Sequence, residues 1–170
     1  ALQVAHAHGL TVSLDLNMRR KLWSEQEATA TLRTLVSSCE VVMGGLDEMA
    51  LVGGDDRAEP EDAAAAILAL GARIAVVKLG AEGALELRAG SPAVREPALA
   101  VPQRVDPVGA GDAFAAGYIA ASLEGLDASR ALQLGNACGA SVIAVVGDQN
   151  GLPTRREVDR LLASTADSIR

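Results

Sequence analysis

Gly109, Ala110, Gly111 and Asp112 form a tight glycine turn that delivers a carboxylate to the start of an apolar stretch ending near Leu123. Glycines let the backbone turn sharply and approach a ligand, and the amides of a following helix start, helped by its dipole, favour negative charge. Asp112 then has two readings. It is a helix N-cap, the common job of an aspartate in such a place. Or it is a base that accepts the proton of an attacking hydroxyl while the neighbouring amides neutralise charge on a transferred group. The spacing leaves both open.

Other residues carry weaker signals of the same kind. Lys78, Leu79, Gly80, Ala81, Glu82 and Gly83 close the most apolar strand, so a glycine-bounded turn there could pass under a nucleotide. It could equally be a hairpin turn needing positive φ, with Lys78 reaching to solvent. Asp15, Asn17 and Arg19 leave another strand with alternating polar side chains, where an arginine could clamp a carboxylate or phosphate, or simply form a surface salt bridge. Glu48 could orient water around a magnesium ion, or occupy a helix first turn where acids are favoured. Asp148 lies among turn-forming residues between two helices. His6 and His8 are two apart and do not share a helix face. Phe114 and Tyr118, four apart, read as core.

These residues need elements to position them. Ala1 to His8 reads as the last turns of a helix closed by Gly9, as if cut from something longer. Strands are expected over Leu10 to Leu16, Val41 to Met43 and Ile74 to Val77. Between them lie a helix opened by Ser24 and Glu27 and running to Ser38, a short one from Asp47 to Val52, and one started by Pro60 and ended by Gly71. Ala84 to Leu87 and Ala93 to Glu96 flank a turn and predict an antiparallel hairpin at the sheet edge. A short strand near Val101 to Val105 should lead into the glycine turn. Helices then follow to Leu123, from Asp127 to Val145, and from a cap at Thr154 with Glu157. The pattern predicts an α/β fold, a mainly parallel sheet flanked by helices, in one domain spanning residues 1–170. In such sheets ligands bind beyond the strand carboxyl ends, where Asp15 to Arg19, Gly45 to Glu48, Lys78 to Gly83 and Asp106 to Asp112 all fall.

Composition excludes several classes. Fifteen basic against 22 acidic residues give a net charge of -7, which argues against nucleic acid or an anionic membrane as partner. Three aromatic residues are too few for a base-stacking platform. No apolar run is long enough to span a bilayer, and no secretory leader is visible. Cys39 and Cys138, far apart, read as reduced thiols of a cytoplasmic protein.

Together the motifs resemble the C-terminal portion of the ribokinase-like carbohydrate kinases, the PfkB family, over essentially the whole chain. Val105 to Gly117 resembles the family's most specific signature, and Val77 to Gly83 its nucleotide loop. Leu14 to Trp23 and Gly147 to Pro153 resemble more narrowly the versions found in 2-keto-3-deoxygluconate kinases, and fructokinases share the first. The resemblance implies a Rossmann-like ribokinase fold whose N-terminal part and sheet lid are absent. It implies ATP and Mg²⁺ as cofactors and phosphorylation of a sugar or sugar acid hydroxyl, 2-keto-3-deoxygluconate foremost, with fructokinase- or ribokinase-type substrates as the alternative.

Residue by residue, the resemblance makes Asp112 the base and Gly109, Ala110 and Gly111 the anion hole. Lys78 to Gly83 and Asn17 would contact ATP, Asn136 would line the adenine pocket, and Arg19 and Asp148 would reach the substrate. Glu48 would act on Mg²⁺ indirectly, and Asp106 would help hold a monovalent cation, K⁺. Gly45 stands where the family often has Asn three residues before the Glu, which weakens the magnesium assignment. A homo-oligomer is implied for the full-length protein. A non-catalytic nucleotide-binding module is the main rival, and a dinucleotide oxidoreductase is disfavoured because no Gly-x-Gly-x-x-Gly turn follows the first strand.

Overall fold

The computed structural model describes residues 1–101 and 103–168. The chain gathers into two compact units, one made of Ala1–Leu79 with Leu85–Val94, the other of Gly80–Ala84 with the chain from Arg95 onward.

The first unit opens with α1 (Leu2–Ala7), followed by β1 (Ser13–Asp15), α2 (Glu25–Val36), β2 (Val41–Gly45), α3 (Leu46–Gly53), α4 (Pro60–Ala69) and β3 (Ile74–Lys78). The strands alternate with helices because the punctuation is local. Ser24 and Glu27 form a complete capping box at α2, Pro60 sits in the first turn of α4, and Gly54 closes α3 in the left-handed region. β1 pairs parallel with β2 from Ser13↔Val41 to Asp15↔Met43, and β2 parallel with β3 from Val41↔Ile74 to Gly45↔Lys78.

β4 (Ala84–Arg88) and β5 (Val94–Glu96) complete a sheet in the order β1-β2-β3-β4-β5. The short links from β3 to β4 and from β4 to β5 permit only antiparallel pairing, so the expected edge hairpin is present. One sheet face supplies Val42, Ala75, Val77 and Leu85 to a core completed by Leu32 and Val36 of α2, Met49 and Val52 of α3, and Ala63, Ala64 and Ile67 of α4. Parallel strands covered in this way read as continuous apolar runs, as Ile74 to Val77 does.

β1 is shorter than the alternation from Leu10 to Leu16 suggests. Val12 donates its amide to Glu40 Oε2 at 2.7 Å rather than to a ladder partner, so pairing begins only at Ser13.

In the second unit a 3₁₀ turn (Gly80–Glu82) precedes β4, and α5 (Ala110–Leu123), α6 (Ala128–Val142) and α7 (Arg155–Ser168) follow. α5 and α6 lie close because a Cβ on Gly117 would stand 2.8 Å from Leu134 O and from Cys138 Sγ, and one on Gly135 would stand 2.8 Å from the Phe114 ring. Phe114 and Tyr118 stack with centroids 6.4 Å apart and are both buried, as their spacing predicts. Thr154 caps α7 by donating both its amide and its hydroxyl to Glu157 at 2.7 Å.

Two boundaries correct the sequence reading. No strand forms at Val101 or over residues 103–105, and Pro102 lies outside the described residues. Pro97, Pro102 and Pro107 punctuate this stretch and lack the amide a ladder requires, while Val105 and Asp106 donate instead to Ile143 O at 2.7 and 3.3 Å. α6 stops at Val142 rather than Val145, because the β-branched run Val142, Ile143, Val145 and Val146 is a poor helix continuation and Ile143 O serves that loop.

Gly83 is fixed by both conformation and space: its φ is +100°, and a Cβ there would lie 2.0 Å from Glu96 O and 2.6 Å from Pro97 C and Ala98 N. Gly83→Ala must therefore displace backbone and should cost upwards of about 3 kcal/mol in denaturant unfolding. Gly90→Ala at the hairpin turn, also at positive φ (+76°) but with open space, should cost only about 1–2 kcal/mol. Equal losses would show that the backbone crossing at Gly83 does not matter.

Candidate active site

In the first unit three of the four expected strand-end motifs do sit at strand carboxyl ends, those of β1, β2 and β3. Lys78, the last residue of β3, donates to both carboxylate oxygens of Asp15, the last residue of β1, at 2.9 and 2.7 Å. Both side chains are largely withdrawn from solvent: Lys78 is 18 % exposed and Asp15 20 %. Lys78 therefore turns its ammonium onto Asp15 instead of extending freely into solvent, as the hairpin-turn reading of this segment supposed.

Beyond Asp15 the chain is fastened at two points. Leu16 donates its amide to Met43 O at 2.8 Å, and Met18 donates to Glu48 Oε1 at 2.6 Å. Between them Asn17 takes φ +35°, the only non-glycine residue at positive φ among the described residues, a conformation asparagine tolerates better than most. Asn17 and Arg19 emerge exposed. Arg20 is paired with Glu25 at 2.9 Å and lies 3.7 Å from Asp47, whereas Arg19 forms no ion pair or hydrogen bond through its side chain among the described residues. Its guanidinium remains open to an anion.

Glu48 occupies the first turn of α3, and its other oxygen accepts the Gly45 amide at 2.8 Å. One carboxylate thus caps its own helix and pins the Asn17 segment. Gly45, where the family pattern often has Asn, takes the N-cap position, and a Cβ there would lie 2.9 Å from Asp47 Oδ1.

The second unit holds the glycine turn. Gly109, not Asp112, is the N-cap of α5, with φ +81°, and a Cβ on it would lie 2.9 Å from both Cα and Cβ of Asp148. The structure so brings the Asp148 loop directly against the turn. Asp112 is the third helical residue, exposed, and caps nothing. The cap reading is removed by geometry. The Ala110 amide bonds Pro107 O at 3.3 Å, while the Gly111 and Asp112 amides find no acceptor among the described residues. Two unpaired donors and the helix dipole therefore meet beside a free carboxylate.

Asp106 organises the approach to this turn, although the fourth motif follows a loop rather than a strand. Its Oδ1 accepts the Val108 amide at 3.0 Å and its Oδ2 the Gly147 amide at 3.2 Å. These two bonds, Val108's the stronger, hold its carboxyl below the usual aspartate range. Asn136, 8 % exposed, donates both amide protons to Glu96 O and Pro97 O at 3.1 Å, tying α6 to the end of β5. The Gly80–Glu82 turn is closed by Gly83 N to Gly80 O at 3.3 Å.

Sequence reasoning missed the Asp15–Lys78 pair, the second bond of Glu48, and the double bond of Asp106. The first could have been found from strand parity, since both residues end strands that flank β2. The other two depend on loop folding that no local pattern encodes. Among the described residues no three His, Cys, Asp or Glu side chains converge as a metal cage, and no helix is long and apolar enough to cross a membrane.

Comparison with known proteins shows the family and the fold. Residues 1–155 match the pfkB family carbohydrate kinase model. The chain is 38 % identical over 157 residues to a 2-dehydro-3-deoxygluconokinase of Bacillus subtilis, covering 92 % of the chain and 48 % of that protein. It is 38 % identical over 152 residues to one of Thermoproteus tenax, covering 88 % and 46 %. The crystal structure of a Vibrio cholerae fructokinase bound to fructose, ADP and calcium superimposes with a TM-score of 0.82 at 29 % identity, covering 95 % of the chain and 53 % of that protein. The chain thus spans about half the length of the curated relatives it matches.

The Asp106 clamp has a definite pH signature. Because its folded pKa is depressed, its contribution is fully present above the unfolded value, near 3.9, and is lost as pH falls through the lower folded value. Asp106→Asn should lower the melting temperature by a constant amount between pH 5 and 8, and the gap to wild type should close below about pH 4. A gap that persists unchanged at pH 3 would show that the carboxylate's charge is not what holds the loops.

Proposed function

Because the chain belongs to the pfkB family of carbohydrate kinases, we propose that it is the nucleotide-binding and catalytic portion of an enzyme that transfers the ATP γ-phosphate to a hydroxyl of a sugar or sugar acid. The acceptor is 2-keto-3-deoxygluconate, the compound named, as 2-dehydro-3-deoxygluconate, in the relatives' kinase activity. The observation that carries this reading is the start of α5, where the Gly111 and Asp112 amides and the exposed Asp112 carboxylate, all without partners among the described residues, adjoin one another. That set of donors fits a phosphate group, and the carboxylate fits the hydroxyl that attacks it.

When bound, ATP with its magnesium ion supplies the phosphoryl group and part of the charge neutralisation. The chain's own residues position and polarise. Asp112 accepts the acceptor hydroxyl's proton, and Gly109, Ala110 and Gly111 present backbone donors to the phosphate oxygens. Arg19 holds the acid's carboxylate or the moving phosphate, and Asp148, packed on Gly109, meets the acceptor. Gly80–Gly83 and Asn17 contact the nucleotide, and Asn136 stiffens the wall beside its base. Glu48, whose oxygens already serve two amides, acts on magnesium only through water, and Asp106 with its loop holds a monovalent cation. The protein works in the cytoplasm as a homo-oligomer.

Phosphoryl transfer draws mostly on positioning and electrostatics, and a general base adds on the order of 10²–10⁴ in rate. In the protein that carries this chain, Asp112→Asn should lower kcat by about that factor while the KM for ATP changes by less than about threefold. ADP release coupled to NADH oxidation, over a panel of sugars and sugar acids, provides the measurement. Near-normal turnover of the variant would remove Asp112 from the chemistry. ATP binding without ADP release on any acceptor would make the wild type a non-catalytic nucleotide module.

A further inference from the structure

The Asp15–Lys78 pair joins the ends of two strands that are not neighbours. In the sheet order, β2 lies between β1 and β3, so the two backbones stand about 10 Å apart, twice the strand spacing. The registers Asp15↔Met43 and Gly45↔Lys78, with Met43 and Gly45 two apart on β2, put all four residues on one sheet face. At the level of Lys78 the intervening residue is Gly45, which has no side chain. A Cβ there would have only Asp47 Oδ1 and Glu48 Oε2 within 4 Å, so the four-carbon stem of Lys78 crosses β2 clear of that position and places its ammonium on both oxygens of Asp15.

An ammonium held this way is not available to a nucleotide. Moving it to a phosphate would strand the Asp15 carboxylate, 20 % exposed and with no other hydrogen bond among the described residues. Asp15 in turn is two residues before Asn17 and four before Arg19, and its side chain is the anchor nearest the end of β1. The remaining fastenings, Leu16 to Met43 and Met18 to Glu48, act on backbone amides beyond it.

We propose that Lys78 is a positioning residue for the acceptor rather than a nucleotide contact: reaching across β2, it holds Asp15 and thereby the Asn17–Arg19 segment that presents Arg19. This rests on the reading above in which Arg19 meets the sugar acid. It reverses the role that the position of Lys78, at the head of the nucleotide loop, suggests.

The test is steady-state kinetics and calorimetry on the protein that carries this chain, with Lys78→Met, Lys78→Arg and Asp15→Asn. Lys78→Met should raise the KM for 2-keto-3-deoxygluconate by about tenfold or more, while ATP affinity by calorimetry falls by no more than about threefold, because Asn17 on the same segment is only one of several nucleotide contacts. Asp15→Asn should give the same split, and the double variant Asp15→Asn/Lys78→Met should be no worse than the more damaged single one. Lys78→Arg, which can still bridge to Asp15, should recover most of the acceptor affinity.

If Lys78→Met does not fold, Asp15→Asn carries the test, since it keeps side-chain shape. A loss of ATP affinity with acceptor KM unchanged would overturn the proposal, as would a lowered melting temperature with both constants unchanged. A wild type that neither binds ATP nor uses a sugar acid would fail before any substitution is made, and would sink the kinase reading and this inference together.

Discussion

Both units depend on one kind of interaction, a carboxylate shared between two backbone amides of separate segments. Glu48 takes the amides of Gly45 and Met18, and Asp106 those of Val108 and Gly147. Irregular loops leave amides without ladder or helix partners, and an unpaired donor away from water costs about 1–3 kcal/mol. A charged acceptor answers two such donors at once, at distances as short as 2.6 Å for Met18. Because the partners are 30 and 41 residues apart, each bond also sets where one loop lies against another. The loops that carry the candidate site can then be ordered without regular secondary structure.

That ordering leaves selected groups unsatisfied. Around α5 the loop amide of Val108 is answered by Asp106 and that of Ala110 by Pro107, yet those of Gly111 and Asp112 are not. On the β1 side Arg20 is neutralised by acids while Arg19 is not. Donors that a fold leaves free at positions it otherwise pins are ready to bind an anion with little reorganisation, and preorganised donors are what electrostatic catalysis requires.

The sequence is legible where structure is local. Ser24 with Glu27, Pro60, Gly54 and Thr154 with Glu157 mark helix ends through contacts three or four residues apart, and those ends are close to where they were expected. The apolar run Ile74 to Val77 announces a strand buried on both faces for the same reason. Legibility fails where a distant partner decides. Val12 is diverted by Glu40, the stretch before Asp106 is claimed by Ile143 O, and α6 ends early at that same residue. Asp112 could not be assigned from its spacing, because cap and base share one sequence signature. The structure removes the cap reading by giving the cap to Gly109, whose φ of +81° no ordinary side chain would accept and whose space the Asp148 backbone fills. Lys78 and Asp15, 63 residues apart, are related only through strand order and register.

Charge places the last constraint on the site. A net charge of -7 opposes the approach of any polyanion, so attraction from the molecule as a whole cannot supply affinity for a nucleotide or a sugar acid. Affinity has to come from groups within hydrogen-bonding reach, where a few oriented amides and one open guanidinium outweigh a distant field that salt screens beyond about 8 Å. This makes geometry more important here than composition. A substitution that keeps every charge but shifts a loop, such as filling the space at Gly109, removes the donors from their positions and leaves only the repulsion. A net acidic chain and a turn with open amide donors are therefore not in conflict: the first disfavours nonspecific polyanions, and the second leaves donors for an anion that fits.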